Sequence, residues 1–190
     1  MNRKFAIALA ATTVLAAPLA AQAQTTSGTS TVTINGSVEK ACVIGQPTEV
    51  TLAINDMTGP DGRITAELAS SAVSASTEIA NAWCNAPSTL SLDGEPLALS
   101  PTPSYGTPPG FARLVTYDAT LTGWPSVVTD RPLIGDSAKT TDAAGAHAQS
   151  LVLDISALEA LDAGGVNANA TAVLEAGGYS GSVVVSVAVQ

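Results

Sequence analysis

The residues whose types most clearly suggest chemistry are Cys42 and Cys84, the two cysteines of the chain. Thiols in an oxidising compartment form disulfides, so this pair predicts one covalent cross-link if the chain is exported. Closing a loop of this length would destabilise the unfolded chain by roughly 3–4 kcal/mol. Two separate buried thiols are the alternative. Together with the lone His147, two cysteines offer too few ligands for a metal ion, so we expect no metal and no cofactor.

The other reactive groups are scattered along the chain. His147 lies in a polar segment of small residues with no Gly-x-Ser-x-Gly motif, which predicts a solvated loop residue. The acidic residues occur singly, so the sequence gives no support to paired-carboxylate catalysis. Asp61-Gly62-Arg63 is typical of a turn, and Asn169-Ala170-Thr171 matches a glycosylation motif of a kind that often arises by chance. We therefore do not expect an enzyme.

The start of the chain predicts export. The basic residues of Asn2-Arg3-Lys4 precede an apolar run over Phe5–Leu15 that is too short to span a bilayer. Ala21-Gln22-Ala23 then matches the small-residue pattern that signal peptidase cleaves. We expect a signal peptide over residues 1–23, with Gln24 as the first mature residue and no membrane span in the mature chain. The alternative is an uncleaved membrane anchor.

The acidic composition limits the classes of partner. The whole chain has a formal charge of −9, and removal of Arg3 and Lys4 makes it more negative by two. Such a surface repels nucleic-acid phosphates and anionic lipid headgroups, so we expect no nucleic-acid partner. The residues after the signal peptide are enough for one domain, and the chain shows no internal repeat or linker that would indicate a second.

Segments that alternate apolar and polar residues recur along the chain, whereas helix-period patterns are scarce. Such alternation predicts strands with one buried face, and hence an all-β fold of two packed sheets. Strands are predicted over Glu49–Asn55, Phe111–Gly123 and Gln149–Ser156. Their inward residues would be Val50, Leu52 and Ile54, then Val115, Tyr117, Ala119 and Leu121, and then Leu151, Leu153 and Ile155. The second strand would place Thr116, Asp118, Thr120 and Thr122 on its outer face.

Three other segments are not predicted to form long strands. Ser100–Gly110 is rich in Pro, Gly and Ser, which indicates a loop. Thr58–Ala82 is rich in Ala and Ser and leaves both a helical turn and a weak edge strand open. Ala157–Asp162 could form one helical turn.

The two ends of the mature chain both alternate. Gly181–Gln190 predicts a long final strand, preceded by a turn at Ala176-Gly177-Gly178-Tyr179. Near the N-terminus, a polar segment with a narrow apolar stripe could not fold alone, since ordering each residue costs about 1–2 kcal/mol. It would gain hydrogen bonds by adding to a sheet that lacks a strand; the alternative is an ordinary first strand with a frayed tail. The two inward rows are Val183, Val185, Val187 and Val189 at the C-terminus, and Gly28, Ser30, Val32, Ile34, Gly36 and Val38 at the N-terminus.

Four blocks in this order give the chain a family resemblance. They are Thr31–Cys42, Trp83–Leu92, Tyr117–Thr122 and Ala176–Gln190. Together they resemble pilin subunits of the chaperone–usher type and, among these, the spore-coat-U-like group. The first block resembles a donor strand running into a first strand that ends in cysteine, and the last resembles the closing strand of the domain.

The resemblance implies a fold, a function and partners. The fold would be an incomplete immunoglobulin-like β-sandwich, completed by donor-strand complementation. Residues 24–38 would be the donor extension and residues 39–190 the pilin-like domain, with Val189 where the family commonly has an aromatic residue. The protein would be secreted through the periplasm to the cell surface as a structural subunit of a fimbria. Its partners would be identical or related pilin subunits, a periplasmic chaperone and an outer-membrane usher.

A second hypothesis is a secreted, non-polymerising β-sandwich that acts as a binding module or coat protein. The loop Ser100–Gly110 would then contact a sugar or a surface, with Tyr105 and Trp124 as candidate stacking residues. Core or loop packing is the competing interpretation of both aromatic residues.

Overall fold

The structure is a computed structural model that describes residues 33–45 and 54–190. The chain divides into two units after Ser37, so residues 33–37 belong to one unit and Val38 onwards to the other. Residues 33–37 have no regular secondary structure. The predicted donor residues Gly28, Ser30 and Val32, and most of the predicted strand over Glu49–Asn55, lie outside the described residues.

In the described part of the second unit, the regular secondary structure consists of strands and one short helix. Its elements are β1 (Cys42–Val43), α1 (Ala66–Ala69), β2 (Val73–Cys84), β3 (Ser88–Gly94), β4 (Leu97–Ser100), β5 (Phe111–Ala112), β6 (Leu114–Thr122), β7 (Val128–Asp130), β8 (Lys139–Ala143), β9 (His147–Ala160), β10 (Val173–Leu174), β11 (Gly178–Ser180) and β12 (Val183–Val189).

The larger sheet has the strand order β1-β2-β9-β6-β4-β11, with β7 beside β6. All of its pairs are antiparallel. A bulge interrupts the pairing of β2 with β9 between Ile79 and Ala82. Asn81 lies in that bulge with φ of 58°, a left-handed conformation that asparagine tolerates better than most residues. The long strands β2, β6 and β9 therefore form the frame of the unit.

The smaller sheet has the order β12-β3-β8 and is also antiparallel. β5 and β10 form a separate parallel pair. Leu90 and Leu92 of the smaller sheet are fully buried in the same apolar cluster as Leu121 and Leu151 of the larger one. The two sheets thus share one core, and the prediction of an all-β fold is confirmed.

The predicted inward row of the second strand is confirmed in β6. Val115, Tyr117, Ala119 and Leu121 are all buried. The outer-face assignment of Thr116 was wrong, because this residue is fully buried and its hydroxyl donates to Pro132 O at 2.8 Å. A buried polar group needs such a partner, and the sequence pattern does not show that Pro132 covers this face.

The predicted strand over Gln149–Ser156 is also confirmed, with its row of Leu151, Leu153 and Ile155 buried. The strand is longer than expected, and the helical turn suggested for Ala157–Asp162 was wrong. β9 continues to Ala160, opposite Val115 of β6. Leu158 of this segment is fully buried in the core, so tertiary packing overrides the local propensity for a turn.

The undecided stretch Thr58–Ala82 contains a helical turn and then the start of a long strand, which lies between β1 and β9 and is not a weak edge strand. Thr65 caps α1 by accepting a hydrogen bond from Leu68 N–H, and β2 follows from Val73. The predicted turn at Asp61-Gly62-Arg63 is confirmed, with Gly62 N–H donating to Gly59 O. Of the helices in the described residues, none is long and apolar enough to cross a membrane.

Candidate functional site

The candidate site is the C-terminal strand β12 and the edge that it leaves unpaired. β12 pairs with β3 along its whole length, from Val183 opposite Gly94 to Val189 opposite Ser88. Within residues 33–45 and 54–190, it has no strand on its other side, because it is the last strand of its sheet. We call this side of β12 the open edge. Exposed edges of this kind present main-chain donors and acceptors to which another strand can add.

Two hydrogen bonds show which groups face the open edge. Ser182 O accepts from Glu95 N–H at 2.8 Å, and Gln190 N–H donates to Pro87 O at 3.0 Å. Main-chain groups of an antiparallel strand point to alternate sides at successive residues, so the even-numbered residues bond to β3. The odd-numbered residues therefore turn their N–H and C=O groups to the open edge: Val183, Val185, Val187 and Val189.

The same valines line the inner face of the strand. Val183, Val185 and Val187 are half-buried and pack against the core, whereas Val184 on the outer face is 57% exposed. Val189, at the end of the row, is 37% exposed. The predicted inward row is thus in place for its first three members, and these are incompletely covered. A strand added at the open edge would find an apolar row together with main-chain groups that no described strand pairs.

The start of β12 is fixed by buried polar groups. The Tyr117 hydroxyl donates to Glu95 O at 2.8 Å and lies 3.3 Å from Ser182 O. Burial raises the pKa of this hydroxyl, and the negative charges of Asp130 and Glu95 add to the rise. Tyr117 therefore stays a hydrogen-bond donor at any ordinary pH and ties together the two chain segments that enter the β3–β12 pair.

Asp130 holds the partner strand at the same end. Its Oδ2 accepts from Gly94 N–H at 2.8 Å, and Gly94 is the residue opposite Val183. Its Oδ1 is buried and has no hydrogen-bond partner within the part of the chain that the structure describes. Burial raises the pKa of the Asp130 carboxyl, although the Gly94 N–H opposes the change. A carboxyl that is costly to ionise therefore holds the end of β3 that lies opposite Val183.

In contrast to the start of β12, the segment before β1 is exposed. Residues 33–41 form no strand or helix, Ile34 is 90% exposed and Val38 is 87% exposed. The predicted first strand also differs: β1 begins at Cys42 instead of ending there. Because residues 34, 36 and 38 alternate, their side chains would share one face of the segment if it were extended.

Residues 39–41 form the root of this segment, directly before β1, and they are hydrogen-bonded to Asn85 just after β2 and to the C-terminal residue. Asn85 Oδ1 accepts from Ala41 N–H at 2.7 Å, and Asn85 Nδ2 donates to Glu39 O at 2.8 Å. The predicted disulfide is present, joining Cys42 to Cys84 next to these bonds. Lys40 Nζ donates to Gln190 O at 2.8 Å, so the root lies beside the C-terminal end of β12. Asn85 and Lys40 were missed, and the only signal in the sequence was their place next to the cysteine blocks.

Trp124 and His147, considered for binding and catalysis, contact each other. Trp124 is 5% exposed and packs edge-on against the His147 ring, with centroids 4.7 Å apart. His147 begins β9, and its Nε2 lies 3.0 Å from Gly123 O, so its prediction as a solvated loop residue was wrong. No cluster of His, Cys, Asp and Glu that could hold a metal occurs in the described ranges.

Tyr105 is the exposed aromatic residue of the loop Ser100–Gly110, with 60% of its surface open. Arg113 lies over its ring at 4.7 Å and donates to Tyr105 O at 2.7 Å. Arg113 also pairs with Glu175 at 2.9 Å, and both side chains are about nine-tenths buried. A pocket of about 200 Å³ lies nearby, with Thr102, Thr107, Arg113 and Asp162 in its lining.

A scan against protein-family models and a search of the curated proteins found no match to this chain.

Proposed function

We propose that the protein is a structural subunit that polymerises head-to-tail by donor-strand exchange. In this proposal the exposed N-terminal segment of one subunit adds to the open edge of β12 in the next. The observation that carries it is the open edge, where Val183, Val185 and Val187 present half-covered side chains together with main-chain groups that no strand of residues 33–45 and 54–190 pairs. Both kinds of group gain from the same incoming strand.

The donor side of the proposal rests on exposed apolar residues. Ile34 and Val38 are almost fully exposed, and burial of each would contribute roughly 1.5–3 kcal/mol. On an extended strand they would face the same side as Gly36, and Val32 would continue the row. Placed beside β12, this row would meet the row of valines and bring its own N–H and C=O groups to the open edge.

Head-to-tail addition determines the form of the assembly. The donor and the acceptor are different surfaces of one subunit, so each contact leaves one donor and one acceptor unused. Such a contact propagates as an open filament. The acidic chain, with a formal charge of −9, repels itself at long range, so hydrogen bonding and apolar contact would have to supply the attraction.

The remaining partners follow from the resemblance to chaperone–usher pilins. The immunoglobulin-like sandwich would lack its final strand, and a periplasmic chaperone would cover the open edge until assembly. An outer-membrane usher would deliver the subunit to the cell surface, where the fimbria would support attachment or biofilm formation. Val189, in place of an aromatic residue, would lie at one end of the surface that the chaperone covers.

The test is deletion of residues 25–34 from the exported chain. Fresh surface material is separated by electrophoresis with and without heating. The intact protein should give ladders of whole-subunit multiples without heating and a single band after heating. The deleted variant should give only the monomer, although it folds and keeps its disulfide. Ladders from the deleted variant would show that these residues are not the donor.

A second candidate function is a non-polymerising binding module. The observation in its favour is the exposed ring of Tyr105, with Arg113 over it, near a pocket of about 200 Å³ that Arg113 also lines. The test immobilises the wild type and Tyr105→Ala and measures their binding to a panel of sugars. A wild type that is monomeric without heating and binds a sugar, together with a variant that does not bind it, would favour this function over assembly.

A further inference from the structure

The exposed segment before β1 contains a reactive pair of residues. Asn35-Gly36 is the one place in the chain where asparagine precedes glycine, since the other asparagines precede arginine, aspartate or alanine. An asparagine amide can be attacked by the main-chain nitrogen of the following residue. Glycine favours this attack because it has no Cβ and reaches backbone conformations that other residues avoid.

The structure leaves this pair open to reaction. Asn35 and Gly36 are both exposed and lie outside any strand or helix. A Cβ placed on Gly36 would meet no atom of the described residues within 4 Å, so no described neighbour crowds this glycine. Thr33 to Lys40 are exposed without exception, so water reaches the whole segment.

Asn85 provides the contrast within the same molecule. Both ends of its amide are hydrogen-bonded, to Ala41 N–H at 2.7 Å and to Glu39 O at 2.8 Å. The next residue, Ala86, is buried. An amide held in this way cannot rotate toward the following nitrogen without breaking both bonds. Asn35 is therefore open to cyclisation, whereas Asn85 is protected from it.

We propose that Asn35 is a site of spontaneous deamidation. The Gly36 main-chain nitrogen loses its proton and attacks Asn35 Cγ, a new C–N bond forms, and the side-chain nitrogen leaves as ammonia. Water then opens the resulting succinimide to give either aspartate or isoaspartate. The step is a substitution followed by hydrolysis, so it needs water but no oxidant, reductant or enzyme.

Deamidation would end the ability of the segment to act as a donor strand, and this consequence rests on the proposed function. Isoaspartate inserts an additional methylene into the main chain, which displaces the residues on one side relative to those on the other. Val38 and Ile34 could then no longer keep a common register beside β12. The product also adds a carboxylate to an already acidic chain. A segment inserted in a neighbour would be protected, because its main chain would be held extended.

The first experiment follows the reaction itself. The purified, unassembled full chain is incubated at mildly alkaline and mildly acidic pH and then examined by peptide mapping with detection of isoaspartate. Asn35 should convert several-fold faster than Asn167, which precedes alanine, and Asn85 should remain intact. Conversion should slow at acidic pH, because the attacking nitrogen must lose a proton. An Asn35 that stays intact while Asn167 converts would overturn the proposal.

The second experiment tests the consequence for assembly. Fresh and aged samples of the wild type and of Asn35→Gln are compared for heat-sensitive ladders; the variant keeps an amide but cyclises slowly. The aged wild type should lose most of its ladders, and the aged variant should keep them. Aged wild type that is deamidated yet assembles normally would overturn the consequence. Fresh samples that form no ladders would contradict the proposed function, whereas the peptide map would still decide the deamidation.

Discussion

The start of β12 and the segment before β1 differ in how their main-chain groups are satisfied. At the start of β12, Tyr117 and Asp130 bond to the chain segments that form the β3–β12 pair, and both side chains are buried. In the segment before β1, Ile34 and Val38 are about nine-tenths exposed and no strand forms. The fold thus holds the start of β12 by buried side chains, whereas the segment before β1 is held in the described structure only near its end, by the bonds of Glu39, Lys40 and Ala41.

Removal of the disulfide at the root of the exposed segment should give the largest change in the free energy of unfolding. Cys42 and Cys84 are 42 positions apart, so replacing both by alanine should lower the free energy of unfolding by roughly 3–4 kcal/mol. Denaturant unfolding, followed by fluorescence, measures the change. An unfolding midpoint that matches that of the oxidised wild type would show that the cross-link does not stabilise this fold.

Two proline substitutions separate the paired and open sides of β12. Val184 N–H points to β3, so Val184→Pro should cost about 2–3 kcal/mol through loss of a ladder bond and strain. Val185 N–H points to the open edge, so Val185→Pro should cost about 1 kcal/mol or less, because proline is accepted where the N–H faces away from the sheet. Thermal and denaturant unfolding compare the two. Equal losses of unfolding free energy in the two variants would contradict the assignment of Val184 N–H to β3 and of Val185 N–H to the open edge.

Removal of one hydroxyl tests the fixed start of β12. Tyr117→Phe leaves Glu95 O without its donor and should cost about 1–2 kcal/mol. Tyr105→Phe is the matched control, since its hydroxyl is exposed and lies 3.4 Å from Glu175. The control should change the free energy of unfolding by less than about 0.5 kcal/mol. A Tyr117→Phe variant as stable as the control would show that this hydrogen bond is not needed.

The smallest effect should come from the titration of Asp130, which makes the free energy of unfolding depend on pH. Because burial raises its pKa in the folded state, the folded protein holds the proton more tightly than the unfolded chain, whose carboxyl titrates near 3.8. Stability from this group is therefore greatest in acid and is lost as pH rises from 3.8 through the raised pKa. Asp93, Asp136 and Lys139 also act on the carboxyl, and Lys139 opposes the rise.

Asp130→Asn keeps an oxygen to accept from Gly94 N–H and removes the titration. The difference in unfolding free energy, variant minus wild type, should become more positive between acidic and neutral pH. Urea unfolding over a series of pH values gives this difference. A constant difference over the series would mean that Asp130 has the same pKa in the folded and unfolded chain.

Alternation in the sequence predicted the strands because burial on one face has a period of two. It therefore located the inward rows of β6 and β9 and the valine row of β12. Alternation did not predict the burial of Thr116, and the polar composition around His147 did not predict its place in a strand. The surroundings of these two residues come from Pro132 and Trp124 elsewhere in the chain. The open edge itself was expected from family resemblance, but the direction of each N–H on it required the register of β12 on β3.

Asn85 and Asp130 show a second reason for the limits of prediction. Each acts on main-chain groups far away in sequence, Asn85 on Glu39 and Ala41 and Asp130 on Gly94. Nothing in the residues around either position distinguishes it from an ordinary turn or strand residue. Contacts of this kind become visible only when the strands have been placed.

The most direct test of head-to-tail assembly mixes two variants that are each blocked at one end. Deletion of residues 25–34 removes the proposed donor but leaves the open edge, and Val185→Pro obstructs the open edge but leaves the donor. Each variant alone should remain a monomer by light scattering after size-exclusion chromatography. The mixture should form a one-to-one heterodimer and nothing longer. Filaments from either variant alone, or no heterodimer from two folded variants, would contradict donor-strand exchange at β12.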